Sequence, residues 1–157
     1  MPEKVTRERA EEDLREGKAP STAAGEFVKE EIDHVREGKH GARSPKQAIA
    51  IGLSKARRAG IPLKPPSGKN QSPMVRRKAE QDYERGQSGA KKTSRKRSAA
   101  REQVMEKEPR STASHRALSK QTKSAARKRS ASSRHAAAKK AVKTRTGRPS
   151  GRASRKS

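Results

Sequence analysis

The chain has 157 residues, 42 of them Lys or Arg and 17 Asp or Glu, for a formal net charge of +25. Hydrophobic residues make up 27%, Phe27 and Tyr83 are the sole Phe and Tyr, and Trp and Cys are absent. This composition excludes one large apolar core, because so few side chains cannot offset the entropy of ordering the whole chain. It also excludes disulfides, thiolate metal sites and cysteine nucleophiles.

Charge rises along the chain. Residues 1–45 carry a net −2, residues 46–108 a net +11, and residues 109–157 a net +16 with no acidic residue after Glu108. The large apolar residues run the other way: beyond position 108 there are only Leu118 and Val142. The N-terminus is charged from Glu3 to Arg9, so no secretory signal is expected. No apolar run reaches membrane-spanning length, and the expected setting is the cytoplasm, on the nucleoid.

In chain order, residues 7–16 read as a charged helix ending at Gly17. Ser21 or Thr22 can cap a second helix reaching about Glu37, with Ala24, Phe27, Val28, Ile32 and Val35 on one face and Gly38 as the stop. A third helix is announced by Ser44-Pro45-Lys46-Gln47: N-cap, Pro at N1, and Gln at N3 closing a capping box. Ile49, Gly52, Leu53 and Ala56 form its apolar stripe, and Gly60-Ile61 predicts a Schellman ending. The second and third helices make a helical hairpin joined through residues 38–43. Pro62, Pro65, Pro66, Ser67, Gly68 and Pro73 mark a linker, after which a short helix from Met74 to Arg85 is expected.

The expected fold is therefore mostly α with extensive disorder. A small helical module spans 1–61, a linker 62–73, a basic region with one or two short helices 74–108, and a disordered Lys/Arg/Ala/Ser tail 109–157. Two side chains cannot offset the ordering of that tail. One echo stands out. Residues 9–17 align with residues 78–86, and Val35-Arg36-Glu37-Gly38-Lys39 resembles Leu14-Arg15-Glu16-Gly17-Lys18. A reused helix-ending phrase explains this more economically than a duplicated contact unit.

The stretch Glu26–Gly60, and above all Lys46-Gln47-Ala48-Ile49-Ala50-Ile51-Gly52-Leu53-Ser54-Lys55-Ala56-Arg57-Arg58-Ala59-Gly60, resembles a family of small basic bacterial proteins with a domain of unknown function. Its members are often labelled DNA-binding or plasmid-stabilisation proteins. The resemblance covers residues 1–64 and implies DNA binding without a catalytic site. Runs such as Ala125–Ala131 and Ala136–Lys143 resemble linker-histone tails and histone-like proteins.

Charge points to a nucleic-acid partner, duplex DNA first, bound by phosphate neutralisation. The candidate contacts are Arg43, Lys46, Lys55, Arg57 and Arg58 on and before the third helix, then Lys91, Lys92, Arg95, Lys96 and Arg97 in the basic region. In the tail they are Arg127, Lys128, Arg129, Lys139, Lys140, Lys143, Arg145, Arg148 and Arg152. Thr146-Gly147-Arg148-Pro149 holds a Gly-Arg-Pro core like an AT-hook, a minor-groove element, but with Thr146 where a basic residue is usual. The third helix has no Asn and only Gln47, so phosphate positioning is expected over base readout.

Other classes lack parts. Glu30 and His34 stand at i, i+4 and could share a metal, but no third ligand is evident and the pair reads as solvent-exposed, so no metal or cofactor is expected. A hairpin this small offers little room for a water-excluding pocket, so neither enzymatic activity nor a small-molecule substrate is expected. The Ala-rich tail has no strong apolar face for a membrane. Two other readings stay open. One is a DNA-tethered adaptor or plasmid-stabilisation factor, meeting a protein or a second copy through residues 21–60, with Glu26, Glu30, Glu31 and Asp33 as the acidic face. The other is an RNA- or ribosome-associated protein, which the shortage of aromatic rings disfavours for single strands.

Overall fold

Three of the helices are stopped by the same local chemistry. In α1 (Lys4–Arg15), α2 (Pro20–Glu37) and α3 (Pro45–Arg58) the last turn runs into a left-handed glycine: Gly17, Gly38 and Gly60 respectively. At α3 the Gly60 N–H donates to Arg57 O at 3.0 Å and the Ile61 N–H to Ala56 O at 3.2 Å, the Schellman pattern expected from the sequence. The same pair of bonds closes α1 through Gly17 and Lys18, and α2 through Gly38 and Lys39. The echo around Gly17 and Gly38 is thus a repeated helix ending.

The structure is a computed structural model that describes residues 2–67, 72–89 and 94–146, with side chains to residue 143. Its described residues form seven α-helices and a 3₁₀ turn, with no strand. After α3 come α4 (Pro73–Gln87), α5 (Arg95–Glu106), the 3₁₀ turn Ser111–Ala113, α6 (His115–Arg127) and α7 (Ala131–Thr146). The chain divides into two units, residues 1–118 and 119–157.

The predicted hairpin is the centre of the first unit, with α1 packed on α2 and α2 on α3. Phe27, Ala23 and Ala24 of α2 meet Ala10 of α1, Ala56 of α3 and Ile61 in one buried cluster. A second cluster joins Val35, Ala42 and Ala48 to Ala113. Small residues dominate because the helices lie close. A Cβ on Gly52 would stand 2.6 Å from Val28 Cα. Backbone cannot yield there, so Gly52→Ala must push α3 off α2. Overpacking of this kind costs about 1–3 kcal/mol, and better helix propensity returns only about 1 kcal/mol. A lower urea midpoint with unchanged m-value is expected for G52A.

The start of α3 follows the sequence reading with one shift. Ser44 Oγ accepts from Gln47 N at 3.3 Å, as a cap should, but the Gln47 side chain accepts from Arg43 N at 2.8 Å, one residue before the cap. Ser44→Ala should cost about 1 kcal/mol, read as a drop in Tm without loss of helix content in the cold. At α2 the expected Ser21 or Thr22 cap is replaced by an uncapped start at Ala19-Pro20, where Pro20 supplies the fixed φ of a first turn.

Two expectations are corrected. The folded unit does not end at residue 61. α4 packs on α3, and residues 105–113 return to the α2–α3 loop. There the Gly41 N–H donates to Met105 O at 2.8 Å and the Ala42 N–H to Pro109 O at 3.2 Å. Thr112 Oγ1 donates to Ala42 O at 3.0 Å and Arg36 Nε to Ala113 O at 3.0 Å. These pairings join residues more than sixty positions apart, beyond the reach of helix periodicity. The linker is also less separate than expected, since Leu63 packs on the first cluster.

The second correction concerns disorder. Residues 109–146 hold the 3₁₀ turn, α6 and α7, where an unfolded tail was expected. The cause is local. Ala, Lys, Arg and Gln are strong helix formers, and a Ser opens each helix. Ser114 Oγ accepts from Ala117 N at 3.3 Å, and Ser130 Oγ from Ser133 N at 3.2 Å. Burial contributes little here, as every described side chain of α7 is exposed.

Candidate nucleic-acid interface

A helix turns 100° per residue, so steps of four, three and four residues stay on one face. Arg116, Lys120, Lys123 and Arg127 of α6 follow that spacing. All four are exposed, while Ala117, Leu118 and Gln121 on the other side are half-buried. The row is about 16 Å long at 1.5 Å per residue. Among the described residues none of the four forms an ion pair, and no acidic residue follows Glu108. Mutual repulsion of like charges on one helix face is unfavourable, and an anion laid along the row relieves it.

Of these four, sequence reading singled out only Arg127. The signal for Arg116, Lys120 and Lys123 was the 4-3-4 spacing, hidden by the expectation that the segment was unfolded. Elsewhere the cations are distributed around their helices. Arg95, Lys96 and Arg97 open α5 and are exposed, as are Lys128 and Arg129 after α6 and Lys139, Lys140 and Lys143 on α7. Arg145 falls in the last turn of α7. Lys91, Lys92, Arg148, Arg152 and the Gly-Arg-Pro core of 147–149 lie outside the described residues.

The candidates on α3 divide. Lys46 is exposed in the first turn, and Arg43 is exposed before it, with Nε 3.7 Å from Glu108 Oε1. Lys55, Arg57 and Arg58 were expected to be exposed and are not. Lys55 turns inward: its Nζ lies 2.5 Å from Glu31 Oε2 and 3.8 Å from Glu30 Oε1, and its side chain is 18% exposed. Arg57 is buried and its Nε donates to Leu63 O at 3.1 Å. Burial pulls its guanidinium below the usual value, with Asp82 opposing the shift. Arg58 Nε donates to Ser54 O at 3.2 Å and stands 3.8 Å from Asp82 Oδ1. Asp82 on α4 is 2% exposed, so this basic cluster holds α4 onto α3. Gly86 makes the close crossing possible, since a Cβ there would strike Arg57 O. α3 therefore spends three of its four basic residues on internal structure.

The acidic face proposed for a protein partner is reduced in the same way. Glu31 is fully buried and Glu30 is 7% exposed, which leaves only Glu26 and Asp33 half-open. Glu30 Oε2 accepts from the Glu3 N–H at 3.2 Å. The exposed Glu30–His34 pair is corrected too, because His34 faces Glu3 instead: Nε2 lies 3.1 Å from Glu3 Oε1. Hydrogen bonds from His34 and Lys39 hold Glu3 below the usual carboxylate range. From the loop after α2, His40 brings Nε2 to 3.3 Å from Glu31 Oε1.

Among the described residues, no helix is long and apolar enough to cross a membrane. No family model, curated protein or solved structure matches the chain.

Proposed function

We propose that the protein binds duplex DNA with little sequence preference, by phosphate neutralisation, in the manner of a histone-like nucleoid protein and without chemistry of its own. The observation that carries this reading is the exposed row Arg116, Lys120, Lys123 and Arg127 in a segment with sixteen cations and no anion. Duplex DNA offers one negative charge per roughly 1.7 Å of axis, dense enough for every cation in a 16 Å row to find a phosphate.

The internal pairing of Lys55, Arg57 and Arg58 favours the candidate contacts on α5, α6 and α7 over those on α3. Base-specific readout has little support, since the exposed basic rows carry few amide side chains to pair with base edges.

The test is titration of random-sequence duplex by fluorescence anisotropy across a salt series, with structured RNA as a parallel arm. Engagement of about 6–10 cations predicts an affinity loss of roughly 10³–10⁵ between 50 and 200 mM salt. A flat salt response overturns the proposal, and tighter binding to RNA than to DNA at matched salt transfers it to RNA.

A further inference from the structure

Glu31, His34 and His40 come together in a way no sequence spacing announces. One ligand atom from each lies within 4.8 Å of the other two. Glu31 and His34 are one turn apart on α2, and His40 comes from the loop that the left-handed Gly38 sends back across the helix end. The two imidazole rings meet edge-on, 6.1 Å between centroids.

The Glu31 carboxylate is divided. Its Oε2 faces the Lys55 ammonium at 2.5 Å. Its Oε1 has the His40 ring nitrogen 3.3 Å away, and both oxygens are buried and accept no hydrogen bond. A buried carboxylate oxygen left without a hydrogen bond is costly and rare in folded proteins. Here the carboxylate lies 3.3 Å from one imidazole and within 4.8 Å of a nitrogen of a second, the donor set that borderline divalent metals favour. Glu3, 3.1 Å from His34 Nε2, holds one of those rings, as outer carboxylates do for metal-bound histidines.

We propose that Glu31, His34 and His40 bind a divalent transition-metal ion of the zinc type, clamping the end of α2 to the loop that leads into α3. Three protein ligands leave a fourth position to water. Lys55 keeps the other carboxylate oxygen and remains in place. The site involves none of the α6 cations, so its test does not depend on phosphate binding.

The experiment is titration of the full chain, stripped with chelator, with zinc by calorimetry and with cobalt(II) by visible absorption, alongside His40→Ala and His34→Ala. One ion per chain, a higher Tm with zinc, and a tenfold or greater affinity loss in each variant are expected. Cobalt(II) should also shift and broaden the ring-proton resonances of His34 and His40 in the unaltered protein, a readout that needs no variant to fold. Absence of any zinc-dependent Tm change in the unaltered chain overturns the proposal. So does full affinity in both folded variants, or paramagnetic broadening confined to His115 and His135.

Discussion

Replacing Arg116, Lys120, Lys123 and Arg127 together by Gln should flatten the salt dependence of duplex binding by roughly 3–4 units of log–log slope, at about 0.9 per lost phosphate contact. Over a change from 50 to 200 mM salt, that removes about a hundredfold of the affinity loss shown by the unaltered chain. Gln keeps the helix propensity of α6, so the change isolates charge. Geometry sets these four residues apart. They share one exposed face of α6, and no acidic partner competes for them among the described residues. The matched control is Arg134, Lys139, Lys140 and Lys143 replaced by Gln on α7, where the cations are spread around the helix. Anisotropy titrations of both quadruple variants decide the point. A larger slope change for α6 supports a presented face; equal changes would show that only the number of charges matters.

Lys55→Met should cost about 3 kcal/mol of stability and leave DNA affinity unchanged at temperatures where the variant is folded. The reason is Glu31, whose side chain is 1% exposed and whose strongest partner is Lys55. Removing one member of a buried pair leaves an uncompensated charge, typically at 3–5 kcal/mol. The low end applies because the Lys55 side chain keeps 18% exposure and Glu31 retains His40 as a neighbour. Adding Glu31→Leu to Lys55→Met should recover much of the loss, since buried ion pairs are often replaceable by apolar residues. Urea denaturation of both variants measures it. Had Lys55 been a DNA contact, the single variant would weaken binding and leave the urea midpoint where it was.

The behaviour of Lys55 shows why charge type does not give exposure. On α3 the sequence offers Lys55, Arg57 and Arg58 as a basic cluster in the last turn, where the helix dipole favours cations. Nothing local distinguishes a solvated lysine from one that reaches a carboxylate on a neighbouring helix. Glu31 is twenty-four positions away, and Asp82, which gathers Arg57 and Arg58, lies beyond a proline-rich segment. The candidate metal ligands repeat the lesson. The i, i+4 rule offered Glu30 with His34, whereas packing turned Glu30 toward the N-terminus and gave the place to Glu31 and to His40.

Over residues 109–146 the unfolded-tail expectation departs from the structure for a different reason. It rested on the shortage of apolar side chains after residue 108, which correctly anticipates that α7 buries nothing. It overlooked that Ala, Lys and Arg with serine caps form helix without burial. It also overlooked that one small residue, Ala113, can complete a core when backbone groups on both sides are hydrogen-bonded.

What the sequence determined by itself is local and electrical. The three glycine-stopped helices, the Ser44 cap, the amphipathic face of α2 and the rise of positive charge toward the C-terminus all follow from residues within a few positions of one another. Helix caps, stops and periodicity act over such distances. Tertiary structure alone decided which charges face water. It turned Lys55, Arg57, Glu30 and Glu31 inward, drew half-buried Arg58 to Asp82, brought residues 105–113 back to the α2–α3 loop, and gathered His40 beside Glu31. Each of these depends on groups far apart in the chain, where the energy of an ion or a hydrogen bond is fixed by what packing excludes from it.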